Sequence, residues 1–383
     1  MTMRIPLSAP DVTEDEIQAV SEVLRTPHLS LGPKLEEFEE ALENYIGVSN
    51  AVAVSSGTSA LHLSIRALGI VEGDEVIVPS FAFIAVANAV RYEGAIPVFA
   101  DIEPKTLNLD SRSIEAQITH RTKAIIVVHT FGCPADLDAI LDIARRHRLQ
   151  VIEDCCEAIG AEFRGKRVGT FGDVGVFGFY PNKQITTGEG GVVVTDNTAI
   201  ANSIWRLRNQ GRDYSKGWFQ HSELGYNYRI SEINCALGVG QLKRIGQILK
   251  RREEIAQVYD RHLSGNRHLR LPVLSVPLRK ISWFVYAVCL DEQFDEFQRD
   301  WIVEEMGRRG IGTGRYFAPI HLQPIYKRQP LSQLCPVTEA IASRTIALPF
   351  FNRIEEKEIE EVCEKFTDLV ESSTRFCARH QTA

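Results

Sequence analysis

No stretch of this 383-residue chain approaches the roughly 18 apolar residues of a membrane span. The opening MTMRIPLSAPDVTEDEI turns acidic without an apolar core of signal-peptide length. Both absences point to a cytoplasmic protein with no membrane partner. Positive charge is not in excess: 43 Lys and Arg stand against 50 Asp and Glu, a net charge of -7, so nucleic acid is not an expected partner. The eight cysteines (Cys133, Cys155, Cys156, Cys235, Cys289, Cys335, Cys363, Cys377) contain no CxxC. The adjacent pair Cys155-Cys156 cannot easily share one tetrahedral metal. The cysteines read as small buried hydrophobes in a reducing compartment, and no metal is expected.

What is present reads as a globular protein long enough for two domains, with 44% hydrophobic and 24% charged residues. In the first half, AVAVSSG (51–57), EVIVPS (75–80), IPVFADI (96–102), KAIIVVHTFG (123–132) and QVIEDC (150–155) read as strands. TSALHLSIRALG (58–69), FAFIAVANAVRYEG (81–94) and DLDAILDIARRHRL (136–149) carry apolar residues at helical spacing. This alternation predicts βαβ units and an α/β fold with a mostly parallel sheet flanked by helices. From Ile230 to about Leu263 the pattern stays helical, with LKRIGQILKRREEIAQVYDRHL suited to one long connecting helix. Beyond it, ISWFVYAVCLD (281–291) reads as a strand, and DEFQRDWIVEEMGRRG (295–310) and IEEKEIEEVCEKFTDLVESS as helices. We expect a large domain over 1–245, a smaller α/β domain over 246–383, and a frayed ARHQTA at the end.

Three stretches fall where an open α/β sheet places ligands, beyond the carboxyl ends of its strands. In SSGTSAL (55–61), a glycine between hydroxyl residues opens a helix, which suits a phosphate, although Ser56 or Thr58 would serve equally as an ordinary helix cap. In VIEDCCEAIG (151–160), Glu153 and Asp154 end a strand. Such an acid either caps the next helix or holds a basic ring nitrogen protonated. In FYPNKQITTGEGG (179–191), one lysine, Lys183, precedes bare glycine backbone. A nucleophilic lysine needs burial or a cationic neighbour to lose its proton, and most lone lysines are merely solvated. Together the three ask for one ligand bearing a phosphate, a basic ring nitrogen and an aldehyde. Pyridoxal 5'-phosphate has all three.

These stretches, with GTFGDVGVFGFYPNKQITTGEGG and GYNYRISEINCALGVGQL, resemble the nucleotide-sugar aminotransferases, the DegT-type family of fold type I pyridoxal-phosphate enzymes. The resemblance extends through LGPKLEEFEEAL (31–42), GAIPVFADIEPKTLNLD (94–110) and RGIGTGRYFAPIHLQPIY (309–326), nearly the whole chain. It implies that Lys183 binds the cofactor's aldehyde and then shuttles the proton, and that Asp154 pairs with the ring nitrogen. It implies that Gly57, Thr58 and Ser59 hold the phosphate and that Phe83 stacks on the ring, where a core aromatic is the plainer reading. Asn227 would reach the phosphate from a neighbouring subunit, making a homodimer with shared sites. Glu189, Arg229, Tyr316 and His321 would face the sugar substrate. The glycines after Lys183 would make room for cofactor and sugar.

Two positions depart from the family's pattern. Gly178 stands where many relatives have a serine that reaches the phosphate. Glu157 stands where many have glutamine or histidine near the phenolic oxygen, so either it or that oxygen should hold a proton, or Glu157 should turn away. An NAD enzyme, suggested by GEGG at 188–191, lacks the preceding strand and the third spaced glycine of that fingerprint. A sugar dehydratase of the same fold would carry histidine for Lys183, and the acidic charge argues against a regulator. The run ITTGEGG resembles enzymes that aminate C4 of a 4-keto-6-deoxy sugar nucleotide more than those acting at C3, with glutamate as the family's default donor.

Overall fold

The computed structural model describes residues 3–213, 217, 219–327 and 335–380. The apolar runs of the first half form β1 (Asn50–Val54), β2 (Glu75–Pro79), β3 (Ile96–Ala100), β4 (Thr122–Val128) and β5 (Gln150–Asp154). They are continued by β6 (Val174–Gly178) and β7 (Gly191–Thr195), in one sheet of order β1-β7-β6-β5-β4-β2-β3. β2 pairs in parallel with β3 and β4, β4 with β5, and β5 with β6. Only β7 runs against its neighbours β1 and β6.

Helices cover both faces, which is why the strands are apolar throughout instead of alternating. The helices are α1 (Glu14–Val23), α2 (Pro33–Ile46), α3 (Gly57–Ala67), α4 (Ala85–Tyr92), α5 (Ser111–Gln117), α6 (Leu137–His147), α7 (Thr198–Arg208) and α8 (Glu232–Lys243). Ala51 and Ala53 of β1 pack with α2, α5, α6 and α8, while Val52 and Val54 pack with α3, α4 and α7. In α2, Leu35, Phe38, Leu42 and Ile46 recur at three- and four-residue spacing, and each contributes roughly 1.5–3 kcal/mol by burial. Six cysteines are buried free thiols and Cys156 is half-buried. The side chain of Cys377 and residues 381–383 of ARHQTA lie outside the described residues.

The expected connecting helix is two helices, α8 and α9 (Ile245–Leu263), separated at Arg244. There the guanidinium is drawn sideways by Glu16 at 2.8 Å and Asp11 at 3.4 Å. The helix expected from residue 81 begins only at Ala85, because Phe81 turns into the core and Phe83 out of it. The strand expected over 281–291 narrows to Tyr286–Leu290.

The second half builds its own core from α9, the three-stranded sheet Leu269–Arg270, β8 (Tyr286–Leu290) and β9 (Thr345–Leu348), α10 (Glu296–Arg308) and α11 (Glu356–His380). Ile5 joins this second core, tied by the backbone of Ile5 and Gly312 at 2.8 Å. The N-terminal segment therefore packs on the second half before the chain enters the large sheet.

Glu16 pins α1 to α8. It is fully buried and accepts hydrogen bonds from Thr13 N–H (2.6 Å), Gln241 Nε2 (2.9 Å) and Arg244 Nε (2.8 Å). Burial alone would raise its pKa, but these bonds outweigh burial and hold it at about 2. A carboxylate lowered from 4.5 in this way stabilises the fold above about pH 4.5, and that contribution is lost as pH falls towards 2. Urea midpoints measured from pH 6 to pH 3 should therefore fall less steeply for Glu16→Gln than for the parent. Parallel curves would remove Glu16 as the cause.

Candidate active site

The carboxyl ends of β5 and β6, the amino end of α3 and segments of the second half enclose a cavity of about 470 Å³. Adjacent strand residues point to opposite sides, so the two acids ending β5 part company. Glu153 turns away and accepts the N–H groups of Gly169 (2.8 Å), Phe171 (2.6 Å) and Gly172 (2.7 Å). It also faces His129 Nε2 at 3.1 Å. Glu153, His129 and Cys155 lie close enough to hold a cation. However, His129 Nδ1 accepts Ala135 N–H at 3.0 Å, so Nε2 carries the proton towards Glu153 and has no lone pair to offer a metal. Asp154 instead lines the cavity, with Oδ1 accepting Cys156 N–H at 3.0 Å.

Ser56 caps α3 by accepting Ser59 N–H at 3.0 Å, so the capping reading holds for Ser56. Thr58 lines the cavity and Ser59 is buried, its hydroxyl 2.7 Å from Ser56 Oγ. Two positions at this end exclude a side chain. A Cβ on Gly57 would lie 3.0 Å from Cys156 Sγ, and one on Gly191 would lie 2.4 Å from the Ser56 carbonyl oxygen. The glycines after Lys183 also serve the packing of the loop. Gly190 and Gly191 let the chain press against Thr187 and Ser56, and Gly188 takes a φ of +81°. Gly191 lets backbone close on backbone, while Gly190 lines the cavity itself.

Lys183 reaches the cavity from the loop after β6. Its side chain is 16% exposed, with Nζ 3.7 Å from Glu157 Oε1 and 4.2 Å from the centre of the Phe284 ring. Glu157 does not turn away. It is buried in the cavity wall, and Oε2 accepts Phe131 N–H at 2.9 Å. Burial pushes its carboxyl up, against the charge of Lys183 and the Phe131 N–H, so it is disposed to hold a proton.

Phe83 is 62% exposed and stands at the cavity, so the core role falls to Phe81 instead. Glu189 is exposed at the rim. Tyr316 lines the wall beside Phe317, and burial raises its phenol. His321 does not reach the cavity. It is buried with Nδ1 2.5 Å from Ser80 Oγ and Nε2 3.1 Å from Glu339, which pins the loop to β2. Asn227 and Arg229 do not line the cavity of their own chain. Asn227 is exposed, and Arg229 donates to Asn209 at 2.9 Å. Asn227 is not a helix cap either, since Ser231 caps α8.

The sequence reading missed Cys156, Tyr180, Asn182, Phe284 and Phe317, all of which line the cavity. Cys156 and Asn182 sit one or two residues from positions already singled out. Nothing in the local pattern marks Phe284 or Phe317, whose place depends on the second half docking.

The DegT/DnrJ/EryC1/StrS aminotransferase family matches residues 10–367. The chain belongs to this family. Among its relatives, GDP-perosamine synthase of Caulobacter vibrioides is 41% identical over 363 residues, 94% of this chain and 96% of that protein. Helicobacter pylori PseC, an aminotransferase of pseudoaminic acid biosynthesis, superposes with a TM-score of 0.91 at 30% identity, covering 96% and 99% of the two chains. DesV of S. venezuelae superposes at 0.89 with 34% identity, covering 97% and 99%. The protein is a transaminase of the DegT/DnrJ/EryC1/StrS family, and its cofactor is pyridoxal phosphate. The residues lining the cavity fit that group: the first turn of α3 with Gly57 and Thr58, the carboxylate of Asp154, and the amine of Lys183.

Gly178, the departure from the family's serine, now has a physical account. A Cβ there would lie 3.1 Å from Cys156 Sγ, so the thiol already fills the space a side chain would take. Gly178→Ser should weaken cofactor binding roughly tenfold by overpacking, and adding Cys156→Ala should restore it. Titrating the cofactor-free variants with pyridoxal phosphate measures both. Equal affinities for the single and double variants would refute the exchange.

Proposed function

We propose that this protein aminates C4 of a 4-keto-6-deoxy sugar carried on a nucleoside diphosphate, with glutamate as amino donor. The observation that carries the transamination chemistry is the single amine, Lys183, set in a cavity whose wall presents Asp154. The sugar class is supported by the 41% identity to a GDP-perosamine synthase across nearly the whole chain. In this reading, pyridoxal phosphate supplies an electron sink for the carbon that loses a proton. Lys183 binds the cofactor and carries that proton at Nζ. Asp154 holds the ring nitrogen protonated, and the first turn of α3 with Gly57, Thr58 and Ser59 receives the phosphate. Phe83 covers one ring face, while Glu189 and Tyr316 meet the sugar. A panel of 4-keto and 3-keto sugar nucleotides with glutamate, read by mass spectrometry, tests the reading. Amination confined to 3-keto substrates would overturn it.

We also take the working unit to be a cytoplasmic homodimer, each chain dividing near residue 245 with its N-terminal segment lent to the second half. The support is a rim left open by exposed Phe83 and Tyr180 (62% and 53%), with Asn227 exposed. No helix of the described residues is long and apolar enough to cross a membrane. If Asn227 reaches into a partner's site, mixing Asn227→Ala and Lys183→Ala chains should restore activity, because one site per heterodimer keeps both residues. With subunit exchange verified, no rescue would refute the shared site.

A further inference from the structure

Gln184 follows Lys183 and is 3% exposed. Its Nε2 donates to the Glu157 carbonyl at 2.6 Å and to the Ser282 carbonyl at 3.1 Å, and lies 3.3 Å from Ser282 Oγ. Only the nitrogen end of an amide can face two carbonyl oxygens, so the orientation is fixed by its partners. One side chain thus joins three parts of the site: the lysine loop, the segment bearing Glu157, and the stretch before β8. That stretch is held from other directions too. Ser282 N–H donates to the Gly132 carbonyl at 3.0 Å, and Ser282 Oγ to the Ile159 carbonyl at 2.6 Å. A Cβ on Gly132 would lie 1.7 Å from the Ser282 carbonyl oxygen, so the approach requires glycine. From α9, the buried Arg252 donates to the carbonyls of Trp283 (2.7 Å) and Phe284 (2.8 Å). The result of these contacts is the ring of Phe284 lying over Lys183.

We propose that Gln184 is a positioning residue whose side chain fastens the second half of the molecule to the lysine loop, so that Phe284 covers the Lys183 amine and shields it from water. This rests on Lys183 being the reactive amine, but the test does not depend on turnover. Aromatic cover excludes solvent from one side of Nζ, and Glu157 stands on another. Without the amide, the segment of Ser282 to Phe284 keeps its bonds to Gly132, Ile159 and Arg252 but loses its tie to the loop beneath. The seam should then open locally while the fold persists.

The experiment uses cofactor-free full-length protein and reductive methylation with formaldehyde and cyanoborohydride. Peptide mass spectrometry compares Lys183 with the exposed Lys250 as internal reference. Gln184→Met, which keeps length but has no donor, should raise Lys183 labelling about fivefold relative to Lys250, the factor one lost buried hydrogen bond gives. Phe284→Ala should raise it at least as far, and the double variant no further than Phe284→Ala alone. Ser282→Ala loosens the same seam and gives the same reading if Gln184→Met does not fold. Unchanged labelling in folded Gln184→Met or Ser282→Ala overturns the proposal. So does a double variant in which the two effects multiply, because Gln184 would then act on Lys183 other than through Phe284. Neither result would disturb the transaminase assignment.

Discussion

Lys183→Ala is expected to lose turnover by at least about 10³-fold, since no other amine can take over its proton transfer at that position. Lys183 is the one amine on the cavity wall among the described residues, so the covalent role proposed for it has no substitute there. The protein should still fold. The lysine sits at the edge of the buried core, and Glu157, left without its cation, is already pushed by burial towards the protonated state. Circular dichroism and the melting temperature should therefore change little while activity disappears. Borohydride treatment of the parent enzyme with pyridoxal phosphate should fix the cofactor to the peptide bearing Lys183, and the variant should take up none. A label mapped to another lysine, or retained turnover in the variant, would remove Lys183 from the mechanism.

Asp154→Asn should cost roughly 10²-fold or more in turnover with the fold intact. A fixed carboxylate favours a protonated ring nitrogen through its charge, and a neutral amide of the same shape supplies none. The local backbone has little reason to move, because an asparagine oxygen can still accept the Cys156 N–H that Asp154 Oδ1 accepts at 3.0 Å. The absorbance spectrum of the bound cofactor should also become sensitive to pH in a range where the parent's is constant. Near-normal turnover would leave Asp154 as a turn-forming residue only.

Much of this site is legible in the sequence because its chemistry is carried at the ends of strands. Lys183, Asp154 and the Gly57–Ser59 turn each follow an apolar run that announces a strand, and the topology of a parallel sheet gathers such ends at one edge. Reading fails where a residue's place depends on distant chain. Phe284 meets Lys183 only because Arg252, Gly132 and Gln184 draw the two halves together. His321 has the residue type of a ligand-binding group, yet Ser80 and Glu339 occupy both its nitrogens. Helix ends were misjudged for local reasons. At Arg244 the backbone leaves the helical conformation (φ −104°, ψ 1°) and parts α8 from α9, and no periodicity records it.

The amide cluster that receives Glu153 has a consequence for how β5 slides against its neighbours. Glu153 pairs with Val127 and Asp154 with Val128 across β4. A slip of one residue would exchange the two acids between faces. A slip that brought Asp154 to the place of Glu153 would leave the aspartate one methylene short of the N–H groups of Gly169, Phe171 and Gly172 and set Cys155 where Asp154 now faces the cavity. Those three amides act as a gauge of side-chain length, satisfied by the longer acid and left wanting by the shorter. The strand is thus indexed from behind. The carboxylate that faces the cavity owes its position to a neighbour that never touches the ligand.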